Sequence, residues 1–143
     1  MKINDVLRDK RNRIVSVRMH ETVRTAAKLL RSENIGAIVV KDTCETEGDV
    51  VLGMLSERDL LRALVDQGQR ALELPVSALM TRTVISCTPQ DDLDHVVDLM
   101  ARHHIRHVPV LDNEALVGVM SIRDLLAVWQ STAGSGGKVA APA

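Results

Sequence analysis

Residues 53–61 read GMLSERDLL and residues 118–126 read GVMSIRDLL, so Gly-x-x-Ser-x-Arg-Asp-Leu-Leu is written twice, 65 positions apart. In both places an apolar run precedes the Ser and an apolar-periodic run follows it, which predicts a strand leading directly into a helix. Ser and Asp three residues apart at such a junction form a capping box: the hydroxyl accepts from the third helical amide and the acid reaches back to the cap amide. That role alone stabilises a helix start by about 1 kcal/mol. It leaves Arg58 and Arg123 unexplained, because a cation near a helix N-terminus opposes the helix dipole. A phosphate at the helix end would use both the free amides and a bidentate cation. On this second reading Ser56 and Ser121 approach phosphate, while Asp59 and Asp124 accept hydrogen bonds from a ribose diol. Gly53 and Gly118 either let backbone or ligand approach closely or mark a twist or bulge.

Outward from the nonapeptide, the two halves follow one order. INDVLRDK predicts a short entering helix and RIVSV (13–17) a strand; HETVRTAAKLLRSENI then predicts a helix with Val23, Ala26, Ala27 and Leu30 on its apolar face. GAIVV (36–40) and VVLGML (50–55) read as buried strands, and SERDLLRALVDQG as a helix ending near Gly68. In the second half TVIS predicts a short strand, PQDDLDHVVDLMARHHI a helix with Pro89 near its start, RHVPVL and ALVGVM a strand pair, and SIRDLLAVW the last helix. Val15 matches Ile85, Val23 matches Leu93, Ile35 matches Ile105 and Val40 matches Val110 at an offset of 70, which becomes 65 from Gly53 onward. The first copy therefore carries five extra residues within 42–49, expected to form a solvated loop. Residues 66–80 connect the copies, with a short helix expected at 76–80, and 131–143 have the composition of a flexible tail. Two such units, at 1–68 and 69–130, are each too small to cover a sheet alone, which predicts a pseudo-twofold α/β sandwich.

Composition limits the function. The chain has 18 Lys and Arg against 19 Asp and Glu and no basic block, which argues against nucleic-acid binding. Trp129 is the only aromatic ring besides five His, so base stacking on aromatic platforms is also disfavoured. Cys44 and Cys87 match neither a metal spacing nor a disulfide framework. With no signal-like segment and no apolar run of bilayer length, a cytoplasmic location with no membrane partner is expected. His103 and His107 are spaced i, i+4, but a helix break is expected between them and no further ligand completes a zinc set. No catalytic spacing of Ser, Cys or His is present, so the chain reads as no enzyme; turnover of a nucleotide would rest on the expected pocket alone. Arg106 and His107 precede the strand where the first copy has Gly36 and Ala37, so two clefts cannot be chemically equal and the second has the better anion handles.

The doubled motif after a Val-rich strand pair, in this element order, resembles the tandem cystathionine-β-synthase (CBS) domain pair, or Bateman module, over about residues 1–130. The resemblance implies a regulatory module binding an adenosine-containing ligand (AMP, ADP, ATP, NAD(H) or S-adenosylmethionine) between the copies. It assigns ribose to Asp59 and Asp124, phosphate to Ser56 and Ser121, and neighbouring positions to Arg58 and Arg123. Adenine would lie against Ile14, Val15, Ser16, Ile35 and Ala37 in one cleft. In the other it would meet Val84, Ile85, Ser86, Ile105 and Pro109. It further implies a homodimer formed through helices 22–33 and 91–102 or through the motif helices, and, with no attached effector domain, an unknown protein partner in trans. A ligand-independent dimeric scaffold or interaction module is the alternative.

Overall fold

Val23, Ala26 and Leu30 lie on one face of α2 (Val23–Ser32) and are all buried. Thr22 starts this helix by accepting a hydrogen bond from the Thr25 amide at 3.2 Å, and Asn34 turns the chain out of it at φ 53°. The equivalent helix α4 (Leu93–His103) buries Val96, Leu99 and Met100 and ends at His104, also left-handed at φ 54°. The turn at His104 separates His103, on the helix, from His107, at the start of a strand, so the helical i, i+4 register between them is broken.

The computed structural model describes residues 1–9, 14–44 and 48–134. Ahead of α2 stand α1 (Ile3–Asp9) and β1 (Ser16–Val17); after it come β2 (Ala37–Cys44), β3 (Gly48–Ser56) and α3 (Glu57–Gln67). Two 3-10 turns (Gly68–Glu73 and Val76–Ala78) lead to α4, β4 (His107–Asp112), β5 (Ala115–Ser121) and α5 (Ile122–Gly134). The fold is mixed α/β, with two strand-helix-strand-strand-helix units in tandem, the leading strand of the second reduced to an isolated bridge. In the first, β1 pairs parallel with β2 and β2 antiparallel with β3; in the second, β4 pairs antiparallel with β5. Each hairpin shifts register at an equivalent place, Val40/Lys41 and Val110/Leu111, and the units meet where β3 lies against β5.

Three expectations are corrected. The TVIS segment is not a strand: only Cys87 bridges to Val110, with the Cys87 amide on the Pro109 carbonyl at 3.0 Å and the Leu111 amide on the Cys87 carbonyl at 2.8 Å. Continuing that parallel ladder to Ile85 needs an N–H at position 109, which proline lacks, whereas Val39 stands there in the first unit and a β1 strand forms. The extra residues of the first hairpin lengthen its strands: Asp42 pairs with Val50, Thr43 with Asp49 and Cys44 with Gly48, leaving only 45–47 of the expected loop outside the described residues. At the C-terminus α5 runs to Gly134, so the first residues assigned to a tail are helical; 135–143 lie outside the described residues. Pro89 falls in a turn before α4, where its carbonyl accepts from the Asn4 amide at 2.9 Å.

The cores do not follow chain order. Ile3, Val6 and Leu7 of α1 pack with Cys87, Val96, Met100, Val108 and Met120 of the second unit. Val76 and Met80, from the connection, pack with Val17, Ala26, Leu30, Ile38 and Leu55 of the first. Backbone bonds fix the crossing: the Ile3 amide donates to Asp91 and the Leu93 amide to Met1, while the Val23 amide donates to Leu74 and the Val76 amide to Glu21. Lys2 adds an ion pair to Asp92 at 2.9 Å, which lowers the Asp92 carboxyl pKa. A division at residue 68 therefore separates each entering segment from the core it fills.

Candidate functional site

Both repeated motifs form the capping box. Asp59 Oδ2 accepts from the Ser56 amide at 2.9 Å and contacts its hydroxyl at 3.0 Å, and the Asp59 amide donates back to that hydroxyl at 3.2 Å. Ser121 and Asp124 repeat this at 2.8, 3.0 and 3.3 Å. The cap uses one carboxylate oxygen, so Asp59 Oδ1 carries no hydrogen bond from the described residues. A single acid can thus hold its helix start and still accept from a ligand.

The hairpins bring these helix starts against the beginnings of β2 and β4. Ala37 pairs with Ser56 and His107 with Ser121. The Glu57 amide donates to the Gly36 carbonyl and the Ile122 amide to the Arg106 carbonyl, both at 2.9 Å. The pseudo-twofold relation thus sets Gly36 and Glu57 in one unit where Arg106 and Ile122 stand in the other.

Between the units lies a cavity of about 690 Å³, the size of a small-ligand site. The two expected clefts run together in it. Ile14, Val15, Ile35 and Ala37 line it from the first unit, and Val84, Ile85, Ile105 and Pro109 from the second. Polar groups come from Ser56, Arg58 and Asp59 on one side and Arg106, His107, Ser121 and Arg123 on the other. The walls are aliphatic because Val, Ile and Pro at the sheet ends face inward.

Ser16, Ser86 and Asp124 do not line this cavity, although the sequence pointed to them. Ser16 sits in β1, where its neighbours Ile14 and Val15 reach the space; Ser86 follows Val84 and Ile85 in the same way. Arg123 lines the cavity but also donates from Nη1 to the Asn34 carbonyl at 3.1 Å, joining the second motif to the turn that ends α2. Arg58, its counterpart, has no hydrogen-bond partner among the described residues. Gly53 is not a ligand-approach position: a Cβ there would lie 2.7 Å from the Thr81 carbonyl oxygen, because the connection bonds Met54 through both backbone groups.

Glu57 was not singled out from the sequence, yet it lines the cavity. An acid at the first helical position is expected from the dipole alone, so only its place inside the repeated nonapeptide, opposite Ile122, signals more. At Gly36 a Cβ would meet His107 Cε1 at 3.1 Å and Glu57 Oε1 at 3.8 Å, so imidazole and carboxylate converge over a residue without a side chain. Away from the cavity, burial beside Asp91 pushes the Cys87 thiol up to about 12. Among the described residues no group of three His, Cys, Asp or Glu is placed to hold a metal ion, and no helix is long and apolar enough to cross a membrane.

Comparison with known proteins places this geometry in a family. The CBS domain model matches residues 3–66 and 76–131. The CBS domain-containing protein YhcV of Bacillus subtilis is 33% identical over 123 residues, which are 86% of this chain and 84% of that one. A CBS-domain containing protein from Agrobacterium tumefaciens superposes with a TM-score of 0.82 at 35% identity, covering 90% of this chain and 99% of that chain. A CBS domain protein from Pyrobaculum aerophilum, solved in complex with AMP, superposes with a TM-score of 0.77 at 31% identity, covering 94% and 100%.

Proposed function

The chain belongs to the CBS domain family, and from that we propose that it is a non-catalytic regulatory module that binds an adenosine-containing ligand between its two units and acts on a protein partner in trans. The observation that carries this reading is the cavity between the units, onto which the first motif's Ser, Arg and Asp open between aliphatic walls, with Asp59 Oδ1 left to accept a ribose hydroxyl. The AMP complex of the Pyrobaculum aerophilum relative supports it, since that protein shares both the fold and 31% of the sequence. Adenine fits between Ile and Val side chains, and ribose meets the carboxylate that already caps α3. AMP, ADP, ATP, NAD(H) and S-adenosylmethionine are the ligands to compare. The reading takes a cytoplasmic protein in trans as the partner.

Calorimetric titration with AMP, ATP, NAD(H), S-adenosylmethionine and adenosine is expected to give saturable binding for at least one, together with a rise in melting temperature. Absence of both for all five overturns the proposal. Asp59→Asn should weaken adenosine by about 1–3 kcal/mol, since a charged acceptor is lost. Asp124→Asn should act mainly through stability, because Asp124 does not line the cavity.

The reading also includes a homodimer, and the exposed apolar side chains indicate through which helices. The apolar residues of α2 are spent on its own core and α4 exposes one, Val97 at 49%, whereas α3 exposes Leu61 at 63% and Val65 at 77% and α5 exposes Ile122 at 38% and Leu126 at 41%. Association through the motif helices would cover them. Val65→Glu combined with Leu126→Glu is expected to convert a dimer to a monomer in light scattering; a wild-type monomer at all concentrations removes this part of the reading.

A further inference from the structure

Equivalent helices of the two units carry opposite charge on their outer faces. At the offset of 70, Arg24 stands where α4 has Asp94, Ala27 where it has Val97, and Lys28 where it has Asp98. Spacings of three and four residues set each trio on one helix face, an apolar residue between two charges. Lys28, Asp94 and Asp98 are exposed, as is Val97. One turn further α2 adds the exposed Arg31, and this helix contains no acid. Arg24 is paired with Glu73, and Asp98 with Arg102 of its own helix. Lys28 and Arg31 on α2 and Asp94 on α4 have no ion-pair partner among the described residues.

We propose that two copies of this chain pair crosswise, α2 of one copy against α4 of the other, so that each first unit meets its partner's second. This rests on the homodimer reading and goes beyond it by fixing the orientation. Because the units are related by a pseudo-twofold, a closed dimer can set each unit against its own copy or against the other unit. The apolar residues of the motif helices do not decide between these, since Leu61 and Leu126 are equivalent positions. The neighbouring helices do. In the first unit α2 lies against α3, and in the second α4 and α5 fill one core, so α2 and α4 accompany the motif helices into any interface those form. Pairing each unit with its own copy brings Lys28 and Arg31 toward a second Lys28 and Arg31, and Asp94 and Asp98 toward a second acidic pair. The crosswise arrangement sets cations against acids at both contacts and Val97 against the smaller Ala27.

Two proteins carrying one added cysteine each, Ala27→Cys and Val97→Cys, test the orientation in a Cys44→Ser background where the remaining Cys87 is buried. Each is treated with a short bismaleimide, alone and after subunit exchange with the other. Crosslinked dimer is expected only from the mixture, and by mass it should hold one chain of each kind. Crosslinking of either protein by itself overturns the proposal, as does a dimer that crosslinks in neither case. Charge gives a second measurement, since Lys28→Glu and Asp94→Lys break no ion pair within the described residues. Each alone is expected to weaken dimerisation about five- to tenfold in sedimentation at low salt, an effect that shrinks at high salt. Pairing of each unit with its own copy would merely exchange one like-charge contact for another, so unchanged dimerisation in both variants also overturns the proposal. A wild type that stays monomeric at all concentrations removes the homodimer reading and this orientation with it; crosslinks between identical positions remove the orientation alone.

Discussion

Gly53 is held by backbone on both sides. The Met54 amide donates to the Thr81 carbonyl at 3.0 Å and the Thr81 amide to the Met54 carbonyl at 2.8 Å, so the atoms a methyl would strike cannot swing away as a side chain would. Gly53→Ala should lower stability by about 1–3 kcal/mol in a denaturant titration; an unchanged midpoint would mean that the bridge yields freely. Cys87 is 3% exposed and its thiol is raised from 9.0 to about 12. A raised thiol is protonated in the folded chain while its unfolded counterpart ionises, so its contribution is complete below about pH 9 and is lost progressively as pH rises toward about 12. Wild type should therefore lose melting temperature across that window faster than Cys87→Ala, and native Cys87 should resist alkylation near neutral pH. Parallel pH profiles for the two proteins would contradict this assignment. The Ser and Asp of each nonapeptide were legible as caps because the motif's spacing fixes their geometry. Glu57 was not, since the helix dipole already accounts for an acid there.

Among the elements, order and type followed from periodicity: apolar residues three and four apart for α2 and α4, unbroken Val and Ile for β2 and β4. What the pattern could not convey was pairing. Val84 and Ile85 have strand-like side chains, and their failure to join β4 depends on a missing N–H on Pro109, 24 residues away from Ile85 in sequence. Pro109→Val should let the ladder continue as Ser16 and Val17 do, seen as a slowly exchanging amide at position 109. A fast-exchanging amide there would show that the segment stays apart for another reason. The first hairpin was under-read for a related reason: Thr43 and Asp49 look like loop residues, but cross-strand bonding and the Lys41 to Asp49 ion pair at 2.9 Å hold them in register. Left-handed Asn34 closes α2, so Asn34→Ala should cost about 1–2 kcal/mol while Asn34→Gly costs little.

For the molecule as a whole, the tandem sandwich was readable from the repeat, and the crossing of its entering segments was not. Ile3 and Val6 in one segment and Val76 and Met80 in the other are chemically interchangeable, and nothing in their spacing names the core each will enter. Ile3→Ala should destabilise by about 2–5 kcal/mol. Hydrogen exchange should then accelerate chiefly in 93–121, the unit α1 packs on, rather than in the neighbouring residues 16–56. The reverse distribution would refute the crossing. One consequence concerns how the chain is made. As the polypeptide leaves the ribosome, α1 lacks part of its core until the last hairpin has been translated, so this helix finishes docking late. The first core, drawn wholly from residues 17–80, can close before the second is made, and a nascent chain stalled midway should present that helix to chaperones.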